Sequence, residues 1–311
     1  MINIEKIPGL IESVEQNMLI NLASNADLSK GVIVEFGTYF GKSTACLING
    51  VLKNSSAISK KIHLYSYDAF ETTIGNDFSN LIFFHAKISK LENALYVDND
   101  KVNFKGIYDY FIGPYEKKIV KTTEIKLKDI KSFNHNIQLI FIDCPKNFKN
   151  FIYILDNFFP LLNISSTLIF QDYFYHWSSS LIAFVQLLLN DKKIAIKNTA
   201  ASSLVVELID KIDSTYINNI KDLMEKNNLN LLIQQSRNNF TLNNIDQYYI
   251  FYPRLILAQL EYAYNNSPKE LHSIMKYYLS DTKSVNLNTL KDLSDLISKK
   301  FIMDAGILGD S

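Results

Sequence analysis

The stretch from Val32 to Thr44, Val-Ile-Val-Glu-Phe-Gly-Thr-Tyr-Phe-Gly-Lys-Ser-Thr, constrains the fold more than any other part of the chain. Its β-branched, apolar opening (Val32, Ile33, Val34) suits a strand covered on both faces, as in a parallel sheet flanked by helices. Gly37 and Gly41 permit a sharp bend and a close approach of the backbone to a ligand. Beyond them Ala45, Ile48 and Leu52 recur at the spacing of one apolar helix face. Strand, glycine turn and helix make the first half of a βαβ unit, whose ligand lies outside the carboxyl end of the strand.

The pattern repeats along the chain. Ile62 to Asp68 alternates and ends in an acid, and Lys118 to Leu127 reads as a strand carrying Thr123-Glu124. Leu139 to Asp143 and Thr167 to Asp172 are apolar runs that also end in polar groups. Phe148, Phe151, Ile152, Leu155, Phe158 and Phe159 predict a helix closed near Pro160, and Leu181, Ile182, Val185, Leu188 and Leu189 predict another. Lys193 to Lys197 and Ser203 to Ile209 read as two closing strands joined by Asn198-Thr199-Ala200-Ala201. Residues 69–116 are long for a single crossover and are expected to supply substrate-side structure; their aromatic stripe Phe104, Tyr108, Phe111, Tyr115 is expected in the core.

Either side of this block the patterns are helical. Leu10, Ile11, Val14, Met18 and Leu22 predict a helix leading in. From about residue 211 strand patterns cease, and helices are predicted over 245–260, kinked at Pro253, and around 271–278 and 290–296. The chain thus divides into a lead-in (1–30), an α/β domain (31–210) and a C-terminal helical extension (211–311) that would cover the core or join two copies as a homodimer.

Composition narrows the function. The 311 residues are 47% apolar and 21% charged, with 32 basic and 32 acidic side chains, the balance of a globular domain. The only arginines are Arg237 and Arg254 and there is no basic run, so the electrostatic footprint of a nucleic-acid binder is missing. Cys46 and Cys144, the only cysteines, do not suggest a disulfide framework. No apolar run approaches membrane-spanning length, and early acids with no apolar stretch argue against a signal peptide; the expected place is the cytoplasm, without membrane partners.

Three ligands compete for the glycine turn. A phosphate loop needs four residues between its glycines, one more than stand between Gly37 and Gly41, although Gly41-Lys42-Ser43 and the strand ending at Asp143 keep a nucleotide hydrolase open. The G-x-G-x-x-G spacing for a dinucleotide is also absent. Glu35, just ahead of the turn, is expected to face the ligand, where it would repel a polyphosphate and attract a sulfonium or ammonium. A cationic nucleoside such as S-adenosylmethionine fits that sign. Beside the S-adenosylmethionine and hydrolase readings stands a binding protein without catalysis on the same fold, working through its C-terminal helices.

Glu35-Phe36-Gly37-Thr38-Tyr39-Phe40-Gly41-Lys42-Ser43-Thr44 resembles the first motif of class I S-adenosylmethionine-dependent methyltransferases. That resemblance implies a Rossmann-like, doubly wound, mostly parallel seven-stranded sheet closed by a reversed hairpin. It implies that Glu35, Gly37, Thr38, Tyr39, Gly41, Ser43 and Asp68 hold the cofactor, Asp68 through the ribose hydroxyls, with Asp143 beside them and Glu124 by the adenine. Asp143-Cys144-Pro145-Lys146 is similar to the D-x-x-K element of cation-dependent small-molecule O-methyltransferases, which implies Asp143 as a cation ligand and Lys146 as the base. A lysine near cations can have a lowered pKa. Gln171-Asp172 stands where those relatives carry two consecutive metal ligands, so Asp143, Gln171 and Asp172 are the candidate oxygen site for Mg²⁺. His176, four residues after Asp172, is the alternative base. Over residues 30–210 the arrangement also resembles the macrocin O-methyltransferase group, which implies a sugar or other small-molecule hydroxyl as substrate.

Overall fold

The computed structural model describes residues 1–58, 61–131, 133–175, 178–226 and 229–242. They fall into two compact units: Met1–Tyr173 with Leu187–Lys226, and Phe174–Gln186 with the described chain after Lys226. Of the helices expected in the C-terminal extension, those over 245–260, 271–278 and 290–296 lie outside the described residues. So does His176. The predicted helical character after 211 is seen in α7 (Ser214–Lys226) and α8 (Leu229–Leu242).

The first unit is built on a seven-stranded sheet. In chain order its strands are β1 (Val32–Phe36), β2 (Leu64–Asp68), β6 (Val120–Glu124), β7 (Ile137–Ile142), β8 (Leu162–Phe170), β9 (Ile194–Ala200) and β10 (Ser203–Leu208). Their spatial order is β6-β2-β1-β7-β8-β10-β9. The pairs from β6 to β8 are parallel, and β10 runs antiparallel to both β8 and β9, the reversed hairpin that the resemblance implies. β1 is buried at every position, as its apolar run requires of a central strand. β9 is longer than predicted. Asn198, Thr199 and Ala200 pair with Val205, Leu204 and Ser203, so the turn is Ala201-Ser202 rather than the expected four-residue loop.

Helices cover the sheet. α1 (Ser13–Asn25) packs on α2 (Lys42–Val51), and α2 is buried from Ser43 to Val51, not only along the predicted stripe. Leu52, expected on that stripe, lies one residue past the helix and is exposed. α5 (Phe148–Phe158) buries Phe148, Phe151, Ile154, Leu155 and Phe158. Residues 69–116 fold as a second, three-stranded antiparallel sheet, β3 (Glu71–Thr73), β5 (Lys101–Asn103) and β4 (Tyr96–Asp98), with α3 (Asp77–Ile88) and α4 (Lys105–Ile112). Phe104 and Tyr108 are fully buried in the core, and Phe111 and Tyr115 pack against it. α6 (Ser179–Asn190) follows β8 where the helical spacing places it. No described helix is long and apolar enough to cross a membrane.

Candidate active site

Parallel register gathers the polar residues that end each strand. Phe36 lies beside Tyr67 and Ile142, Ile142 beside Phe170, and Asp68 beside Glu124. One step further the ladder continues: Gly37 N donates to Tyr67 O, Asp143 N to Phe36 O and Gln171 N to Ile142 O. Residues as far apart as Gly37 and Gln171 thus line one edge. That edge is where the chain turns from building β2 and β6 on one side of β1 to β7 and β8 on the other, the crevice in which open α/β sheets bind ligands.

Glu35 does not face this edge. It is fully buried: Ser43 Oγ donates to Oε1 at 2.6 Å, and Thr44 Oγ1 and Ser66 Oγ donate to Oε2 at 2.7 Å each. The expected contact of Glu35 with a cationic ligand is corrected accordingly; the carboxylate ties the first turn of α2 to β1 and β2. Burial raises its pKa to about 7, against the lowering by the three hydroxyls. Ser43 is engaged by the same bond, so its hydroxyl faces Glu35 rather than a ligand or a phosphate-bound cation. Sequence reasoning did not single out Ser66. Its place two residues before Asp68 on an alternating strand was the available signal.

The glycine turn is held from the other side by Asp68. Its Oδ2 accepts from the backbone of Thr38 (2.7 Å) and Tyr39 (3.1 Å), and its Oδ1 from Phe70 N (2.8 Å). Burial raises the Asp68 pKa, while those N–H groups oppose the rise. Gly37 (φ 83°) and Gly41 (φ 91°) occupy the left-handed region, so the turn itself requires them. Their missing Cβ atoms also make room for the protein's own chain. A Cβ on Gly41 would lie 2.6 Å from Ile112 Cγ1, and one on Gly37 would lie 3.2 Å from Asp143 Cβ. Tyr39 packs over Phe40 with ring centroids 4.2 Å apart, and its hydroxyl meets His85 Nδ1 at 3.0 Å. Glu124 is exposed at the tip of β6 and accepts from Asn103 Nδ2. Asp68, Glu124, Asp143 and Asp172 make this edge predominantly acidic.

The second cluster centres on Lys146. Its Nζ lies 2.8 Å from Asp143 Oδ1, 3.3 Å from Asp172 Oδ2, and 3.0 and 3.1 Å from the Gln171 backbone and side-chain oxygens. The structure therefore brings Asp143, Lys146, Gln171 and Asp172 together from the ends of β7 and β8. Two expectations change. Burial alone would lower the Lys146 pKa, but the Asp143 and Asp172 carboxylates outweigh it and raise the pKa, so a base activated by a lowered pKa is not what this geometry makes. The proposed Mg²⁺ ligands Asp143, Gln171 and Asp172 already surround the ammonium. A divalent ion about 4 Å from it would be repelled by roughly 8 kcal/mol at an effective dielectric near 20. Among the described residues no three His, Cys, Asp or Glu side chains converge as a metal site. These residues do not fit the metal.

Asp143 keeps one open oxygen: its side chain is 32% exposed, and among the described residues only Lys146, on Oδ1, donates to it. Burial raises its pKa, Lys146 opposes the rise, and Asp172 adds to it. A further acid, unforeseen from sequence, braces the cluster from α1. Glu15, buried, accepts from Glu12 N at the helix start and from Ser203 Oγ at 2.7 Å. Ser202 Oγ lies between Glu15 Oε1 (3.3 Å) and Asp172 Oδ1 (3.0 Å). The Glu12–Glu15 spacing marks a helix start, but nothing local links it to a turn 187 residues away.

The strand order with its single reversed strand, and the acidic edge at the switch point, define a doubly wound α/β domain whose crevice lies at that edge. Residues 34–173 match a family model described as a methyltransferase domain. That match supports a class I methyltransferase reading of this part of the chain. No curated protein matches the chain. Among solved structures it is similar to the O-methyltransferase NovP, with 13% identity over 62% of this chain and 80% of that one, and a TM-score of 0.42. It is also similar to an O-methyltransferase from Bacillus cereus in complex with SAH (12% identity, 66% and 86% covered, TM-score 0.37). A third is CalS11, a TDP-rhamnose 3'-O-methyltransferase of calicheamicin biosynthesis (14%, 63% and 78% covered, TM-score 0.39).

Proposed function

We infer that this chain transfers a methyl group from S-adenosylmethionine to a hydroxyl of a small molecule, a sugar being the substrate class its sequence resemblance implies. The observation that carries the reading is the acidic edge at the switch point of a methyltransferase domain, with the Asp143–Lys146–Asp172 cluster beside the glycine turn. The edge fits a cationic nucleoside. Asp68 Oδ1 and the exposed Glu124 each accept one hydrogen bond from the protein and have lone pairs left for ribose hydroxyls and adenine. Bound there, S-adenosylmethionine would supply a methyl group on a positively charged sulfur.

The remaining work falls to the chain's own residues. A hydroxyl is a weak nucleophile until its proton is taken. Asp143, with a raised pKa and an open oxygen, is the group to accept that proton. Lys146, whose pKa the neighbouring carboxylates raise, offsets by its field the negative charge that develops on the substrate oxygen. Asp172 and Gln171 keep the lysine in place. Calorimetry tests the reading: S-adenosylmethionine and S-adenosylhomocysteine should bind, and ATP with Mg²⁺ should not. Binding of the triphosphate in their place would overturn it. The Asp143→Asn variant should keep cofactor affinity and lose transfer to an acceptor hydroxyl.

A further inference from the structure

The sequence resemblance implies a divalent ion among Asp143, Gln171 and Asp172, and the oxygens of these residues already hold a cation. The Lys146 ammonium touches a carboxylate oxygen of Asp143, one of Asp172, and both the carbonyl and the side-chain oxygen of Gln171. Four oxygens drawn from two strand ends converge on one nitrogen. Among the described residues the shell around the ammonium is two carboxylates and one amide side chain. A lysine presents three N–H donors and no acceptor, and this oxygen-only shell meets that demand without a metal.

We propose that Lys146 is the resident cation of this site: its ammonium fills the seat among Asp143, Gln171 and Asp172 that the resemblance assigns to a divalent ion, and methyl transfer here needs no such ion. The assignment rests on the methyltransferase reading, but it concerns only where positive charge sits and can be tested without turnover. It also predicts a gain of function in binding. Removing the ammonium takes away the cation that the Asp143 and Asp172 carboxylates and the Gln171 oxygens now hold, and these are the hard oxygen donors that Mg²⁺ and Mn²⁺ take.

The test is titration of the purified full chain with Mn²⁺, followed by calorimetry and by loss of the free-ion electron paramagnetic resonance signal. The wild type should show no saturable site. Lys146→Ala should bind one Mn²⁺ at least tenfold more tightly than the wild type, and the double variant Lys146→Ala, Asp172→Asn should lose that gain. Lys146→Met, which keeps bulk without charge, is the second variant should the alanine protein fail to fold; circular dichroism reports folding for each. Saturable Mn²⁺ binding by the wild type that Asp172→Asn abolishes would overturn the proposal. So would two folded lysine variants that bind no ion, since the oxygens would then form no cation seat. Cofactor calorimetry on the same preparations separates the two readings. Loss of S-adenosylmethionine binding in the wild type sinks the methyltransferase reading, whereas Mn²⁺ behaviour alone decides this one.

Discussion

Glu35→Gln isolates the effect of a buried acid that the structure places inside the domain. In the wild type the group titrates near 4.5 when exposed and at about 7 in the fold, because burial disfavours the charged form. Between those values the folded state holds a proton that the unfolded state has lost, so stability falls as pH rises. The stabilisation is fully present below about pH 4.5 and lost on passing pH 7. A difference of 2.5 pH units (7 minus 4.5) corresponds to about 3 kcal/mol. Most of that is lost between pH 5 and 8. The amide that replaces the carboxyl in this variant does not titrate, and the hydroxyls of Ser43, Thr44 and Ser66 can rotate to accept from it. Asp68, Asp143 and Glu15 also have raised pKa values and contribute the same sign, so the informative quantity is variant minus wild type. Urea unfolding followed by circular dichroism at pH 5, 6, 7 and 8 should show that difference shift in favour of the variant by about 2–3 kcal/mol across the series. A constant difference would refute the burial argument. The variant should also keep its S-adenosylmethionine affinity within a few-fold; a hundredfold loss would restore the ligand-facing role first expected of Glu35.

Gly41→Ala combines a left-handed backbone with a 2.6 Å approach to Ile112 Cγ1 and should cost about 2–4 kcal/mol, read as a lower urea midpoint. Asp68→Ala frees the N–H groups of Thr38, Tyr39 and Phe70 and should weaken S-adenosylmethionine binding at least tenfold by calorimetry; unchanged affinity would reduce Asp68 to a brace of the turn. Glu15→Ala removes the acceptor of Glu12 N and Ser203 Oγ and should cost about 2–3 kcal/mol in urea unfolding, while Glu15→Gln should recover much of it.

The strands were legible because burial on both faces demands runs such as Val32–Val34 and Leu139–Ile142, and such runs have little else to be. The acids that end them were legible too: Asp68, Asp143 and Asp172 each follow an apolar run directly or within two residues. The orientation of a side chain relative to its strand tip was not. Glu35 stands one residue from the end of β1, and that single step turns it from the ligand edge into the interior toward Ser66 and α2. Tyr39 likewise was a candidate by position, but its hydroxyl meets His85, 46 residues on.

By itself the sequence determined the alternation of strand and helix, the glycines at left-handed positions and the order in which polar groups arrive at strand ends, since all of these follow from local period and backbone allowance. Which groups face one another was decided only by tertiary structure. The Lys146 pKa is raised rather than lowered because β7 and β8 lie side by side and bring Asp172 and the Gln171 oxygens to an ammonium that, from its own loop, could be paired only with Asp143. The sign of a lysine's pKa shift depends on the charges within a few ångströms, and those came from a strand 25 residues away.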